Sequence, residues 1–292
     1  MSNEMNLFNF DKEYKKIRKP IRLIEFFAGI GAQAKSLEIL GVPFESHKIC
    51  EWAANSIIGY NAIHNHIYKN ENHLDSEFLA NELFKLGVSL DYNKPAELKQ
   101  LKRLNNDKLN FIYESIHKTN NLVNIMNVHG EDLEITDTDK FEYILTYSFP
   151  CQDLSNAGNK KGCAKDSGTR SGLLWEVDRI LTELVMGGLS LPQILIMENV
   201  PDLIGVRHVD QFDKWCKRLE ELGYKNNYEL LNAKDYGIPQ NRKRVFMVSV
   251  YGDFAFDMPL PIERKHNLGH MLEKDVEEKY FLSDKAMNKM VY

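Results

Sequence analysis

The stretch IRLIEFFAGIG, residues 21–31, restricts the fold more than any other part of this chain. An apolar run of strand character leads straight into two closely spaced glycines. AQAKSLEILG (32–41) follows with helical periodicity, Ala34, Leu37 and Leu40 on one side and Gly41 as its stop. VPFESHKICEW (42–52) then reads as a second strand ending at Glu51. Strand, glycine turn, helix and strand make a right-handed βαβ unit. Such a unit demands a parallel sheet and puts a ligand at the C-terminal edge of its strands.

The same alternation returns later in the chain. LVNIMNV (122–128) is strand-like, FEYILTY (141–147) is a strand, and SGLLWEVDRILTELV (171–185) is a helix with an apolar face. PQILIMENV (192–200) reads as a buried strand and VDQFDKWCKRLEELGY (209–224) as an amphipathic helix ended by Gly223. YELLNAKDYG and KRVFMVSVY (243–251) form a final pair of strands. Residues 53 to about 122 break the pattern: they are polar, rich in Asn, Lys and Glu, and read as a helical insertion. The expected fold class is α/β, a Rossmann-like sheet carrying that insertion. The expected organisation is an extension over 1–20, one domain over 21–252, and a linker with the start of a further region over 253–292.

Composition narrows the class. Of 292 residues, 43% are hydrophobic and 27% charged, as in ordinary globular proteins. No apolar run approaches the roughly 20 residues that span a bilayer. The N-terminus lacks the apolar core of a signal peptide, so a cytoplasmic protein is expected. Cys50, Cys151, Cys163 and Cys216 form no CxxC pair, which argues against disulfides and a zinc site and leaves the metal expectation at none. The net charge of −5 gives nucleic-acid binding no support in bulk. Locally, NKKGCAKDSGTR (159–170) and QNRKR (240–244) are basic islands, readable on charge alone as solvated surface.

Several residues stand where chemistry is done. Gly29 and Gly31 let the backbone approach a nucleotide-like ligand closely. Glu51 ends the next strand, where a ribose hydroxyl pair is bound, and Trp52 offers a ring to stack on a purine. A capping Glu and a core Trp fit the same positions. Cys151 follows a strand, directly after Pro150, in the polar stretch Gln152, Asp153, Ser155, Asn156 and Gly158. That setting suits a nucleophilic thiol, with Lys160, Lys161 and Arg170 as an electropositive surround. Glu198 and Asn199 emerge from the apolar run ILIM, where a carboxyl is suited to proton transfer; a strand-end cap is the plain alternative. Arg242 and Arg244, at strand spacing, point one way and can grip a phosphate or a base carbonyl.

Taken in order, FFAGIG, EW, GED (130–132), FPCQDLS, ENV (198–200) and QNRKR resemble the cytosine-5 DNA methyltransferases. The resemblance runs from about residue 21 to 250. It implies an S-adenosylmethionine pocket formed by Phe27, Ala28, Gly29, Ile30, Gly31, Glu51, Trp52, Asp132, Leu133, Pro150 and Leu173. Within it, Glu51 holds the ribose, Trp52 the adenine ring and Asp132 the adenine amino group. It implies Cys151 as the nucleophile, with Glu198, Asn199, Arg242 and Arg244 around the target base. It implies a DNA-closing loop containing Gln152, Ser155, Lys160, Lys161 and Arg170, and double-stranded DNA as the partner, with the base flipped out of the helix.

Three features depart from the family pattern. Glu25 stands where Asp is common. An insertion of roughly 70 residues lies between EW and GED, more than a short connection needs. After the strand that QNRKR leads into, which ends at 251, only about 40 residues follow, where the family continues into a target-recognition domain and two further motifs. That pattern implies a split or truncated form needing a second polypeptide. An RNA cytosine-5 methyltransferase and a catalytically incompetent DNA-binding or regulatory homologue are the competing readings. His64 and His66 read as surface in polar helical sequence, and Cys50, Cys163 and Cys216 as structural or incidental.

Overall fold

The computed structural model describes residues 17–69, 73–150, 170–262, 267–284 and 286–287. Six strands form one sheet: β1 (Ile21–Phe26), β2 (Phe44–Cys50), β3 (Glu142–Tyr147), β4 (Ile194–Asn199), β5 (Tyr224–Asn232) and β6 (Lys243–Tyr251), in the order β2-β1-β3-β4-β6-β5. β1 pairs parallel with β2 and with β3, and β3 parallel with β4, while β6 runs antiparallel to β4. Every residue of β3 is buried, as a continuous apolar strand at the centre of a sheet covered on both faces must be.

Helices α1 (Ala32–Ile39), α6 (Leu174–Met186) and α7 (Val209–Glu221) accompany the sheet. The larger core joins α6 and α7 to β3, β4 and β6 through Leu181, Trp215, Tyr147 and Met247. Trp215 and Tyr147 are both fully buried, and their polar ends meet: Trp215 Nε1 donates to Tyr147 Oη at 3.0 Å. On α1, Ala34 is buried and Leu37 packs beside it, but Leu40, assigned to the same face above, lies beyond the last turn and is exposed.

The insertion is helical. Helices α2 (Ala54–Asn65), α3 (Ser76–Leu86), α4 (Leu98–Leu101) and α5 (Asn106–Lys118) surround their own core of Ile57, Leu83, Leu101, Leu109 and Ile112. Asp75 and Asn105 cap α3 and α5 by accepting from the N–H groups of Phe78 and Lys108. The expected strand over 122–128 is not one. Asn121 bridges Ile49, but Val123 takes φ +64°, which a strand cannot contain, and Ile125–Asn127 closes as a 3-10 turn.

The chain divides into two compact units. One runs to Leu230 and includes Arg244–Met258; the other comprises Leu231–Lys243 and Pro259 onward. Within the smaller unit, Ile262 N–H donates to Asp235 O at 2.9 Å and Tyr236 Oη to Pro259 O at 2.8 Å. Among the described residues no helix is long and apolar enough to cross a membrane, and no group of side chains is placed to hold a metal ion.

Candidate active site

β1 to β4 are parallel, so the segments that follow them reach the same edge of the sheet. These are Phe27–Gly31 after β1, Glu51–Trp52 after β2, Ser148–Pro150 after β3 and the end of β4 itself at Glu198 and Asn199. β6 is antiparallel, so it brings its beginning, Arg244, to that edge. The connections leaving β1 and β3 run to opposite sides, which opens a crevice between them. Gln33 Nε2 reaches across it to Ser148 Oγ at 3.4 Å.

The turn after β1 is held at three positive-φ residues, Phe27 (+56°), Gly29 (+57°) and Gly31 (+80°). Gly31 is required twice over. Its φ disfavours a side chain, and a Cβ would meet Tyr60 Cε2 at 2.6 Å and the His64 ring. His64 is therefore not the plain surface residue expected: its Nε2–H donates to Ile30 O at 3.1 Å. Beneath the turn lies Glu25, fully buried. Its carboxylate accepts from Ala34 N–H at 3.2 Å and from Tyr60 Oη at 2.7 Å. It thus supplies the start of α1 with an acceptor that Gly31, at the cap position, lacks. Burial raises the Glu25 carboxyl above its ordinary range, and the Tyr60 and backbone donors oppose that shift.

Glu51 leaves β2 with both carboxylate oxygens oriented. Oε2 accepts from Gly29 N–H at 2.9 Å and Oε1 from Ala53 N–H at 2.7 Å. Burial raises its pKa, against those two backbone donors. A carboxylate offers about four acceptor positions, and with the backbone of Trp52 also donating to it, Glu51 retains capacity for a further donor. A Cβ at Gly29 would meet nothing within 4 Å, so the space beside the turn is open. A fixed, half-buried carboxylate beside an open glycine turn fits the ribose of S-adenosylmethionine. Trp52, half-buried, packs against the core of the insertion.

The remaining expected pocket residues are distributed as follows. Ala28 is buried and Ile30 is 54% exposed. Asp132 sits in a 3-10 turn, Gly130–Leu133, and its Oδ2 accepts from His129 N–H at 2.7 Å. This turn is tied to α6, where Glu183 Oε2 accepts from Gly130 N–H at 2.9 Å, and to β2, where His47 Nε2 donates to Leu133 O at 3.0 Å. Leu133, expected to line the pocket, is fully buried in the main core, and its carbonyl is taken by His47. Leu173 packs on the same core just ahead of α6, and Pro150 is half-buried.

At the other side of the crevice, Arg244 Nε donates to Glu198 Oε1 at 2.9 Å. Asn199 differs from its expected place at the base. It is 3% exposed, its Nδ2 donates to Phe149 O at 3.1 Å, and its Oδ1 accepts from Val200 N–H at 2.8 Å. It anchors the backbone two residues before Cys151. Arg242 stands immediately before β6, which begins at Lys243. It belongs to the smaller unit and is exposed, its N–H donating to Asn232 Oδ1 at 3.0 Å. Cys151, Gln152, Ser155, Lys160 and Lys161 lie outside the described residues, as does the side chain of Arg170. Cys50 is buried, and burial raises its thiol; Cys216 is pushed up to about 12, first by burial and then by Asp213. Neither is a reactive thiol.

Asn121, Tyr60 and Gln33 support the site and carry no motif. They lie in helical sequence or beyond its end, far from the residues they touch, and no local pattern marks them.

Fold and edge together define a doubly wound α/β protein with a ligand site at the C-terminal ends of its parallel strands. Residues 100–292 match the C-5 cytosine-specific DNA methylase family, and the chain belongs to it. It is 37% identical over 272 residues to the orphan methyltransferase M.SssI of Spiroplasma monobiae, covering 91% of this chain and 68% of that protein. It is 35% identical over 277 residues to the type II methyltransferase M2.ScrFI of Lactococcus lactis subsp. cremoris, covering 92% and 72%. Among solved structures, Dnmt2 of S. pombe superposes with a TM-score of 0.54 at 14% identity, covering 93% of this chain and 65% of that one. Dnmt2 of Spodoptera frugiperda gives 0.55 at 18%, covering 90% and 63%. At such identities the structural likeness speaks for the fold alone.

Proposed function

We propose that this chain carries the catalytic machinery for methylating C5 of cytosine in double-stranded DNA through a covalent cysteine–C6 adduct on a flipped-out base. The observation that carries the reading is the joint arrival of the Gly29–Glu51 pair, Ser148–Pro150 and the Glu198–Arg244 pair at one sheet edge.

S-adenosylmethionine supplies the electrophilic methyl group; Glu51 accepts from its ribose hydroxyls, and the turn Phe27–Gly31 gives its backbone room. Cytosine C5 is a poor nucleophile. The Cys151 thiolate adds to C6, which makes C5 enamine-like. Electron density then moves to N3 and O2. Glu198 donates a proton to N3, and Arg244 holds O2 as it gains charge. After methylation a base takes the proton from C5, the C6–S bond breaks, the thiolate leaves and N3 returns its proton to Glu198. Asn199 fixes the backbone ahead of Cys151 so that the thiol meets the ring face. Gln152, Ser155, Lys160, Lys161 and Arg170 form the segment that contacts DNA. Transfer by this chain depends on sequence that the relatives carry beyond the matched part, in the same chain or in a second polypeptide.

The test is methyl transfer from labelled S-adenosylmethionine to unmethylated DNA, with and without that additional sequence, beside a Cys151→Ser control. Label on cytosine C5 that the control abolishes is the expected result. Label that survives in Cys151→Ser, or no label in either arrangement, overturns the proposal.

A further inference from the structure

A parallel strand beside β2 would hold the end of β2 through its own peptide groups. Here such a pairing starts and stops. Leu122 N–H donates to Ile49 O at 2.8 Å, and Val123 then turns away. The main chain of Glu51, the next acceptor and donor in line, is held instead by one side chain. Asn121 Nδ2 donates to Glu51 O at 2.9 Å, and Asn121 Oδ1 accepts from Glu51 N–H at 3.0 Å. The same Oδ1 accepts from Val123 N–H at 2.9 Å, which fixes the turn that ends the pairing.

A primary amide has a donor end and an acceptor end, so a single Asn replaces a peptide unit of the missing strand. Asp lacks the donor, and Gln reaches one methylene too far. Asn121 is itself 7% exposed, and its N–H donates to Ile116 O at 3.0 Å, which ties it to the end of α5. The next residue along is bracketed from the same insertion. Ser89 N–H donates to Trp52 O at 2.7 Å, and Ala54 N–H donates to Ser89 O at 2.9 Å. The insertion therefore grips the main chain at Glu51 and Trp52 while Gly29 N–H holds the Glu51 carboxylate.

We propose that Asn121 is a positioning residue of the cofactor site, and that the helical insertion serves to set the geometry of Glu51. This rests on the reading of Glu51 as the ribose acceptor. Calorimetric titration of S-adenosylhomocysteine into the full chain tests both. The variants are Asn121→Ala, Asn121→Ser, Glu51→Gln and the Asn121→Ala/Glu51→Gln pair. Each single change weakens binding by about tenfold, the order of one lost hydrogen bond. The pair is little weaker than Glu51→Gln alone, because Asn121 acts through Glu51. Asn121 variants that bind like the wild type, beside a weakened Glu51→Gln, overturn the positioning role and leave the reading of Glu51 standing. Additive losses overturn the positioning role as well. Wild-type binding by Glu51→Gln overturns the reading of Glu51 and the proposal with it. If Asn121→Ala does not fold, Asn121→Ser, which keeps a hydroxyl near the Glu51 N–H, carries the same comparison.

Discussion

Arg244 Nε donates to Glu198 Oε1 at 2.9 Å across the antiparallel pair of β4 and β6. A parallel neighbour would have presented its far end here. Reversal of one strand puts a guanidinium beside a carboxyl at the edge where the other strands deliver the glycine turn and the approach to Cys151. Glu198→Gln is expected to lower kcat by roughly a hundredfold or more, the range for a lost proton donor. Arg244→Lys restores little of what Arg244→Ala loses, since an ammonium cannot reproduce the fork geometry. Single-turnover kinetics with melting midpoints as the folding control checks both.

Cofactor affinity should depend on pH through Glu51. Burial raises the carboxyl, so it takes up a proton at a higher pH than an ordinary Glu. On the proposed reading, ribose hydroxyls donate to the ionised form, so binding expels that proton. Affinity for S-adenosylhomocysteine therefore falls as pH is lowered through the raised pKa. Glu51→Gln binds weakly and lacks this dependence. Titrations at several pH values, in buffers of different ionisation heat, read the proton count directly.

Tyr60→Phe removes a donor from the buried carboxylate of Glu25. The expected loss is about 1–3 kcal/mol of stability. Its pH dependence has a definite sign. Glu25 is raised by burial, so the folded state binds its proton more tightly than the unfolded state does. Stability contributed by this site is therefore greater on the acid side, and it declines as pH rises from the ordinary carboxylate value through the raised one. The variant is hurt most above that window, where the charge needs the donor. Denaturant midpoints against pH test this.

Asn199→Ala frees the carbonyl of Phe149 and leaves it buried. Methyl transfer is expected to fall at least about tenfold through misplacement of the thiol. Binding of S-adenosylhomocysteine stays within a factor of about two, because no contact of Glu51 is touched. Single-turnover rates and calorimetry separate the two effects.

Most of the sheet was legible because β1, β3, β4 and β6 are apolar runs and the glycines mark the turn. The polar β5, however, begins at Tyr224, inside the stretch expected to be helix, and gives way to a 3-10 turn at Ala233–Asp235 within the expected strand. KRVFMVSVY forms β6 over the residues expected of it. LVNIMNV misled because its composition suits a strand, whereas Asn121 spends its side chain on Glu51 and sends Val123 into positive φ. Tertiary bonding overrode local preference there. Glu51 and Glu198 were legible as carboxylates ending apolar runs. The inward role of Asn199 was not, since nothing beside it in the chain distinguishes a residue aimed at a base from one anchoring a neighbouring strand. Arg242 and Arg244 share a motif but not an element, because β6 begins between them.

The covalent step is tested most directly by DNA containing 5-fluorocytosine, incubated with S-adenosylmethionine and this protein, with and without the additional sequence that the relatives carry beyond the matched part. Fluorine replaces the C5 proton that must leave before the C6–S bond can break, so the adduct persists. The account predicts a denaturation-resistant protein–DNA species, with its mass mapping to the peptide containing Cys151, and none with Cys151→Ser. Methylation of ordinary cytosine without any trapped species, or trapping that survives Cys151→Ser, would contradict it.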